Sequence, residues 1–170
     1  MFKRLALPIV ALCLSFAVPA MAAEPVSIGK FGQWEAWEMQ DEGGGKVCYM
    51  LAQPTKDQGA YKSRGKIYAL ITHRPGEGSK NVFSYISGYE YKEKSEATLK
   101  IGDKKFDLFT QAETAWAPDA NTDNTISETI RKGSTMVVTG TSARGTATTD
   151  TFSLKGSGDA HDAINKACGV

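Results

Sequence analysis

Few side chains in this 170-residue chain have types and spacing suited to chemistry, and the cysteines come first. Cys48 and Cys168 lie 120 positions apart, while Cys13 sits in an N-terminal apolar run. A zinc centre needs about four ligands, and only His73 and His161 could join the two cysteines, at no recognisable spacing. A redox pair would read C-x-x-C, which is absent. The remaining readings are two buried thiols or a disulfide, and an even pair in a small exported domain is expected to be a disulfide. Serine, histidine and aspartate all occur, but no G-x-S-x-G elbow does. His73 falls at a predicted strand end beside Arg74 and Pro75, and His161 on the solvent side of a predicted helix. Gly43-Gly44-Gly45-Lys46 lacks the spacing of a phosphate loop and precedes a strand, so it reads as a hairpin turn. The acid pairs Asp41/Glu42 and Asp119/Asp123 read as turn residues without an EF-hand pattern. No catalytic residue, metal ligand or cofactor is expected. The aromatic set is the remaining candidate: Trp37, Tyr89, Tyr91 and Trp116 either form a binding surface or fill the core.

The elements that must position these residues are mostly strands. Residues 31–40, 46–53, 66–73 and 81–91 carry β patterns, with Trp34 and Trp37 on opposite faces of the first and Cys48 inside the second. Gly88 is expected to mark a bulge. Residues 98–101 and 105–110 flank the turn Gly102-Asp103-Lys104, and 134–142 and 146–154 flank Ala143-Arg144-Gly145. In that second hairpin Arg144 is expected to pair with Asp150 across the strands. The stretch 53–64 reads as a polar loop. Two segments break the β period. Residues 124–132 suit a short helix with Ile126 and Ile130 on one face. Residues 157–168 place Ala160, Ala163, Ile164, Ala167 and Cys168 at i, i+3, i+4, i+7, i+8, with Ser157 or Asp159 as cap and Gly169 at the end. Eight to ten short antiparallel strands with one helix near 124–132 and one near 157–168 make a mainly β, single-domain antiparallel β-sandwich spanning 23–170.

The first 22 residues lie outside that domain. Lys3 and Arg4, an apolar run from Leu5 to Val18, and Ala20-Met21-Ala22 form the three parts of a cleaved signal peptide. The apolar run is too short to span a bilayer, which needs roughly 20 residues. Leu12 stands where a lipoprotein signal carries a small residue before its cysteine. The full chain has 20 basic and 19 acidic residues. A balance that close gives no electrostatic reason to expect nucleic acid, and no second apolar run makes it an integral membrane protein. A periplasmic, outer-envelope or extracellular location follows.

The order of segments resembles the invasion-associated locus B proteins of alphaproteobacteria. The residues that carry the resemblance are Phe31-Gly32-x-Trp34, Cys48, Arg64-Gly65, Ser87-Gly88-Tyr89, Ile101-Gly102 with Phe106-x-Leu108-Phe109, and Ala115-Trp116. The tail adds Ser142-x-Arg144-Gly145-Thr146-x-Thr148-x-Asp150, Ser153-Leu154-x-Gly156, Ala163-Ile164 and Cys168-Gly169. The resemblance implies an exported, mainly β protein, in a family first associated with bacterial entry into host red cells, and it brings no catalytic residues. The expected function is that of a non-enzymatic envelope protein that binds a host-cell or envelope protein in invasion or envelope maintenance. The alternative is a small-ligand or glycan-binding sandwich that uses exposed Trp and Tyr.

Overall fold

A computed structural model describes residues 24–170; the expected signal peptide and Cys13 lie outside them. The strands are β1 (Val26–Phe31), β2 (Trp34–Gln40), β3 (Lys46–Ala52), β4 (Lys56–Gly59), β5 (Tyr68–Arg74), β6 (Ser79–Ile86), β7 (Glu96–Ile101), β8 (Lys104–Gln111), β9 (Thr114–Trp116), β10 (Thr135–Thr141) and β11 (Ala147–Ser153). Two helices accompany them, α1 (Ala120–Lys132) and α2 (Ser157–Cys168). All strands join in one antiparallel sheet of order β1-β2-β3-β5-β6-β9-β8-β7-β10-β11-β4. The edges β1 and β4 do not pair, so the sheet is not a closed barrel.

The mainly β, antiparallel architecture with two helices is the one expected, and its two layers are halves of one curled sheet. Alternation gives the sheet an apolar inner face for the curl to enclose. Alternate residues such as Trp34, Met50, Ile71, Phe83, Leu99, Leu108, Val138 and Phe152 are buried on the inner face. That face meets itself where Tyr85 on β6 packs edge-to-face on Phe152 of β11, ring centroids 6.2 Å apart. Trp34 Nε1 donates to the Ser153 carbonyl at 3.1 Å across the same gap. Three strands are absent from the sequence reading: the edge strand β1, the three-residue β9 at the start of what reads as a loop, and β4, inside the expected polar loop. For β4 the reason is plain. Its four residues are all exposed and it pairs only with β11, so no apolar period marks it.

Both helices lie on the inner side. α1 begins at Ala120, earlier than its apolar pattern suggests, because the Asp119 side chain caps it by accepting the Thr122 N–H at 2.8 Å. On α2 the cap is Gly156, and Ser157 instead donates its hydroxyl to the Ile130 carbonyl of α1 at 2.9 Å. Gly169 closes α2 in the left-handed region, as expected. The buried face of α2 is Ser157, Ala160, His161, Ile164 and Cys168, with Ala163 and Ala167 half-buried on its flank. Cys168 forms the expected disulfide with Cys48 of β3, Cα atoms 5.9 Å apart. β6 ends at Ile86, so Gly88 makes no bulge within a strand; it lies at φ 72° against Gly65.

The two halves of the sheet differ on the outside. On β10 and β11 the outward positions are Thr135, Val137, Thr139, Thr141, Ala147, Thr149, Thr151 and Ser153. On the other half the outward register runs Leu51, Leu70, Ser84, Trp116, Phe109 across β3, β5, β6, β9 and β8. A parallel row holds Trp37, Tyr49, Thr72 and Val82, and a third holds Tyr68 and Ile86. No helix covers this face, since α1 and α2 pack inside.

Candidate functional site

Three places combine chemically capable side chains. The first is a buried polar network beneath the disulfide. His161 of α2 is 4% exposed, so it is not the solvent-side residue the sequence suggested, and His73 stands at the end of β5 as expected but fully buried. Periodicity placed His161 on the solvent side because only apolar residues were counted, and its partners come from remote segments. Arg131 donates to His161 Nδ1 at 2.8 Å and Asn165 does so at 3.0 Å. A guanidinium can only donate, so Nδ1 accepts and Nε2 carries the proton. Nε2 faces Ser127 Oγ and Asn81 Oδ1, each at 2.9 Å. The Asn81 N–H in turn donates to His73 Nδ1 at 3.0 Å. Burial, then the Arg131 charge and His73, push the His161 imidazole down to about 4.

Ser127 and His161 thus stand at the distance of a nucleophile and its base. A hydrolytic pair places a carboxylate on the far ring nitrogen to raise its basicity. Here a cation takes that place, the imidazole is a weak base, and Ser127 is buried and lines neither of the two concavities described below. The network ties α1 and α2 to β6.

The second place is a cleft of about 770 Å³ between residues 60–65, 88–90 and 142–148. Its floor is an ion pair. Arg64, with its side chain 4% exposed, donates from Nη1 and Nη2 to the fully buried Asp150 carboxylate at 2.8 and 2.6 Å. Its Nε donates to the Ser87 carbonyl at 2.6 Å and Nη2 to the Tyr85 hydroxyl at 3.0 Å. The Tyr85 hydroxyl also donates to Asp150. Burial works against the guanidinium charge, but the hydrogen bonds and charge of Asp150 with Tyr85 outweigh it and hold Arg64 above its ordinary range. Burial, then the Asp150 charge, push the Tyr85 phenol far up. The rings of Tyr89 and Tyr61 lie 4.8 and 5.5 Å from the guanidinium carbon. Asp150 therefore pairs with Arg64 and not with Arg144. Its register partner is Val138, three pairs below the hairpin mouth at Thr141 and Ala147, while Arg144 sits exposed at the turn.

The third place is the outer sheet face, with a groove of about 470 Å³ beside Trp37, Tyr49, Leu51 and Tyr68. Among the described residues Trp37 Nε1 is buried without a hydrogen-bond partner. Of the four aromatic candidates, Trp37 and Trp116 stand on this face, Tyr89 walls the cleft, and Tyr91 is 7% exposed in the core. The structure does not gather them into one surface. Arg64 stood in the sequence only as part of the resemblance and Tyr61 only within the polar loop, because Arg64 meets Asp150 across 86 positions and no local pattern records such a pair.

Among the described residues no group of three or more His, Cys, Asp or Glu could hold a metal, and no helix is long and apolar enough to cross a membrane. A family model described as Invasion associated locus B (IalB) protein matches residues 34–165. Neither the curated proteins nor the solved structures gave a match.

Proposed function

The chain belongs to the invasion associated locus B family, and from that premise we propose that it is an exported, non-enzymatic envelope protein. It binds a partner protein through the outer aromatic face of its sheet, in host-cell interaction or envelope maintenance. The observation that carries this reading is the difference between the two halves of the sheet. An open antiparallel sheet ordinarily turns polar residues to water, as the threonine-rich face of β10 and β11 does. The other half turns out Trp37, Tyr49, Leu51, Tyr68, Leu70, Ile86 and Trp116, with Phe109 47% exposed. A contiguous apolar patch of that kind marks an interaction surface. The disulfide fits an oxidising compartment outside the cytoplasm. The weakly basic, cation-bound His161 and the buried Ser127 support a role without chemistry.

The test is complementation of a deletion strain, read as envelope integrity and host-cell association. Leu51→Lys and Leu70→Glu, at half-buried outward positions, should still fold at a cost of about 0.5–3 kcal/mol, yet fail to complement. Thr149→Glu and Thr151→Glu on the other half should complement fully. Folded Leu51 and Leu70 variants that restore the phenotype would overturn the reading. So would turnover of a glycan, peptide or ester by the purified protein.

A further inference from the structure

The cleft floor is expensive for what it gives the fold. Taking a guanidinium and a carboxylate out of water costs several kcal/mol per ion, and their attraction seldom returns more than that. What the buried pair does supply is position. Through four hydrogen bonds Arg64 locks the 60–65 segment to Ser87 on one side and β11 on the other. Gly65 N–H then donates to the Gly88 carbonyl at 2.9 Å. A Cβ on Gly88 would stand 2.5 Å from the Gly65 carbonyl oxygen, so only glycine allows this approach. The result is a rigid concavity whose size falls in the range of small-molecule sites, far above that of one ion.

Its rim has a definite chemistry. Arg64 is neutralised by Asp150 and has no charge to offer. Lys62 and Arg144 are exposed on the cleft, and among the described residues neither forms an ion pair. Glu90 is the one acid on the lining. Ser63 is an exposed hydroxyl there, and Tyr61 and Tyr89 contribute ring surface.

We propose that this cleft binds an acidic sugar, a pyranose ring bearing a carboxylate. The carboxylate lies on Arg144, whose planar fork fits it, within the field of Lys62. Ring hydroxyls donate to Glu90 and exchange hydrogen bonds with Ser63, and the C–H faces of the sugar rest on the tyrosine rings. The site is separate from the outer sheet face, so the two proposals fail or succeed independently.

The probes are glucuronic acid and N-acetylneuraminic acid, with glucose as the neutral control and acetate as the bare anion. Binding is read from amide shifts of the ¹⁵N-labelled protein. The expected result is that at least one acidic sugar shifts the amides of Gly65, Gly88 and Gly145, at least tenfold more tightly than glucose or acetate. The stronger of the two identifies the kind of acidic glycan to which the site belongs. Arg144→Ala and Lys62→Ala should each weaken that binding at least fivefold with unchanged melting, because both side chains are exposed. Tyr61→Ala should weaken it as well. Equal binding of glucose, acetate shifting the same amides as tightly as the sugars, or no shift at all would overturn the proposal.

Discussion

His161 is neutral in the folded protein near pH 7, because a proton on Nδ1 would face the Arg131 guanidinium at 2.8 Å in a buried setting. Its folded value of about 4 lies below the ordinary 6.5, so between those values the unfolded chain binds the extra proton. The stabilising contribution is complete above about pH 6.5 and is lost as the pH falls toward 4. At 1.36 kcal/mol per unit the loss reaches about 3 kcal/mol. Burial lowers His73 too and adds in the same sense, while the raised Asp123 carboxyl opposes both at the acid end. Urea midpoints should therefore fall from pH 7 to pH 4.5, and His161→Gln should flatten that slope. A parent protein equally stable at both pH values would contradict the assignment. The second prediction at this scale concerns Asp150. Asp150→Leu leaves the Arg64 guanidinium buried without its carboxylate, and denaturant melts should show a loss of about 3–5 kcal/mol. Adding Arg64→Met removes the orphaned charge and should recover at least half of that loss. None of these partnerships was legible in the sequence. Asn81, Ser127 and Arg131 reach His161 from 80, 34 and 30 positions away, and Asp150 reaches past its own hairpin to Arg64.

The elements were more legible than the residues. The hairpins β7–β8 and β10–β11 turn where Gly102-Asp103 and 143–145 direct, because turn chemistry is local. The cysteine pair was legible from its parity and the expected export, and it closes a 120-residue separation. Loop-closure entropy assigns such a bridge about 4–5 kcal/mol. α2 was legible as a helix with one buried face, but its apolar pattern rotated that face toward Ala163 and Ala167. Contacts turn it back to Ser157, Ala160 and His161, since the polar network and the hydroxyl bond to Ile130 need inward positions. The test is a set of three substitutions. Ala160→Asp puts a carboxylate at a fully buried site with no partner and should cost several kcal/mol. Ala163→Asp, on the half-buried flank, should cost clearly less, and Lys166→Asp, which is exposed, almost nothing. Equal losses at 160 and 163 in denaturant melts would mean that the helix face is set differently.

At the scale of the molecule, the question is what holds a single open sheet in its curl when its edges do not pair. Sequence patterns showed the alternation that gives the sheet an inner face. They could not show strand order, because β4 joins β11 across about ninety intervening residues and α2 returns to β1–β3 only at the chain end. The curl is fastened at a seam between the β1–β2 turn and the start of α2. Gln33 N–H donates to the Lys155 carbonyl at 3.1 Å, and Trp34 Nε1 reaches Ser153 beside it. The backbones touch at Gly156, where a Cβ would stand 2.0 Å from the Phe31 carbonyl oxygen. This seam can be separated from simple backbone preference. Gly156 has φ 89° and Gly145 has φ 83°, but around Gly145 a Cβ would meet nothing within 4 Å. Replacing either by alanine costs the left-handed penalty of about 1–2 kcal/mol. At Gly145 that is the whole cost. At Gly156 the added methyl must also part the β1–β2 turn from α2, loosening Trp34 on its carbonyl and the layer contact of Tyr85 with Phe152. Gly156→Ala should therefore destabilise the domain by at least 2 kcal/mol more than Gly145→Ala in urea melts. It should also broaden the Trp34 indole N–H resonance, which Gly145→Ala leaves sharp. If the two variants unfold at the same urea concentration, the curl is held by core packing alone and the seam contributes nothing.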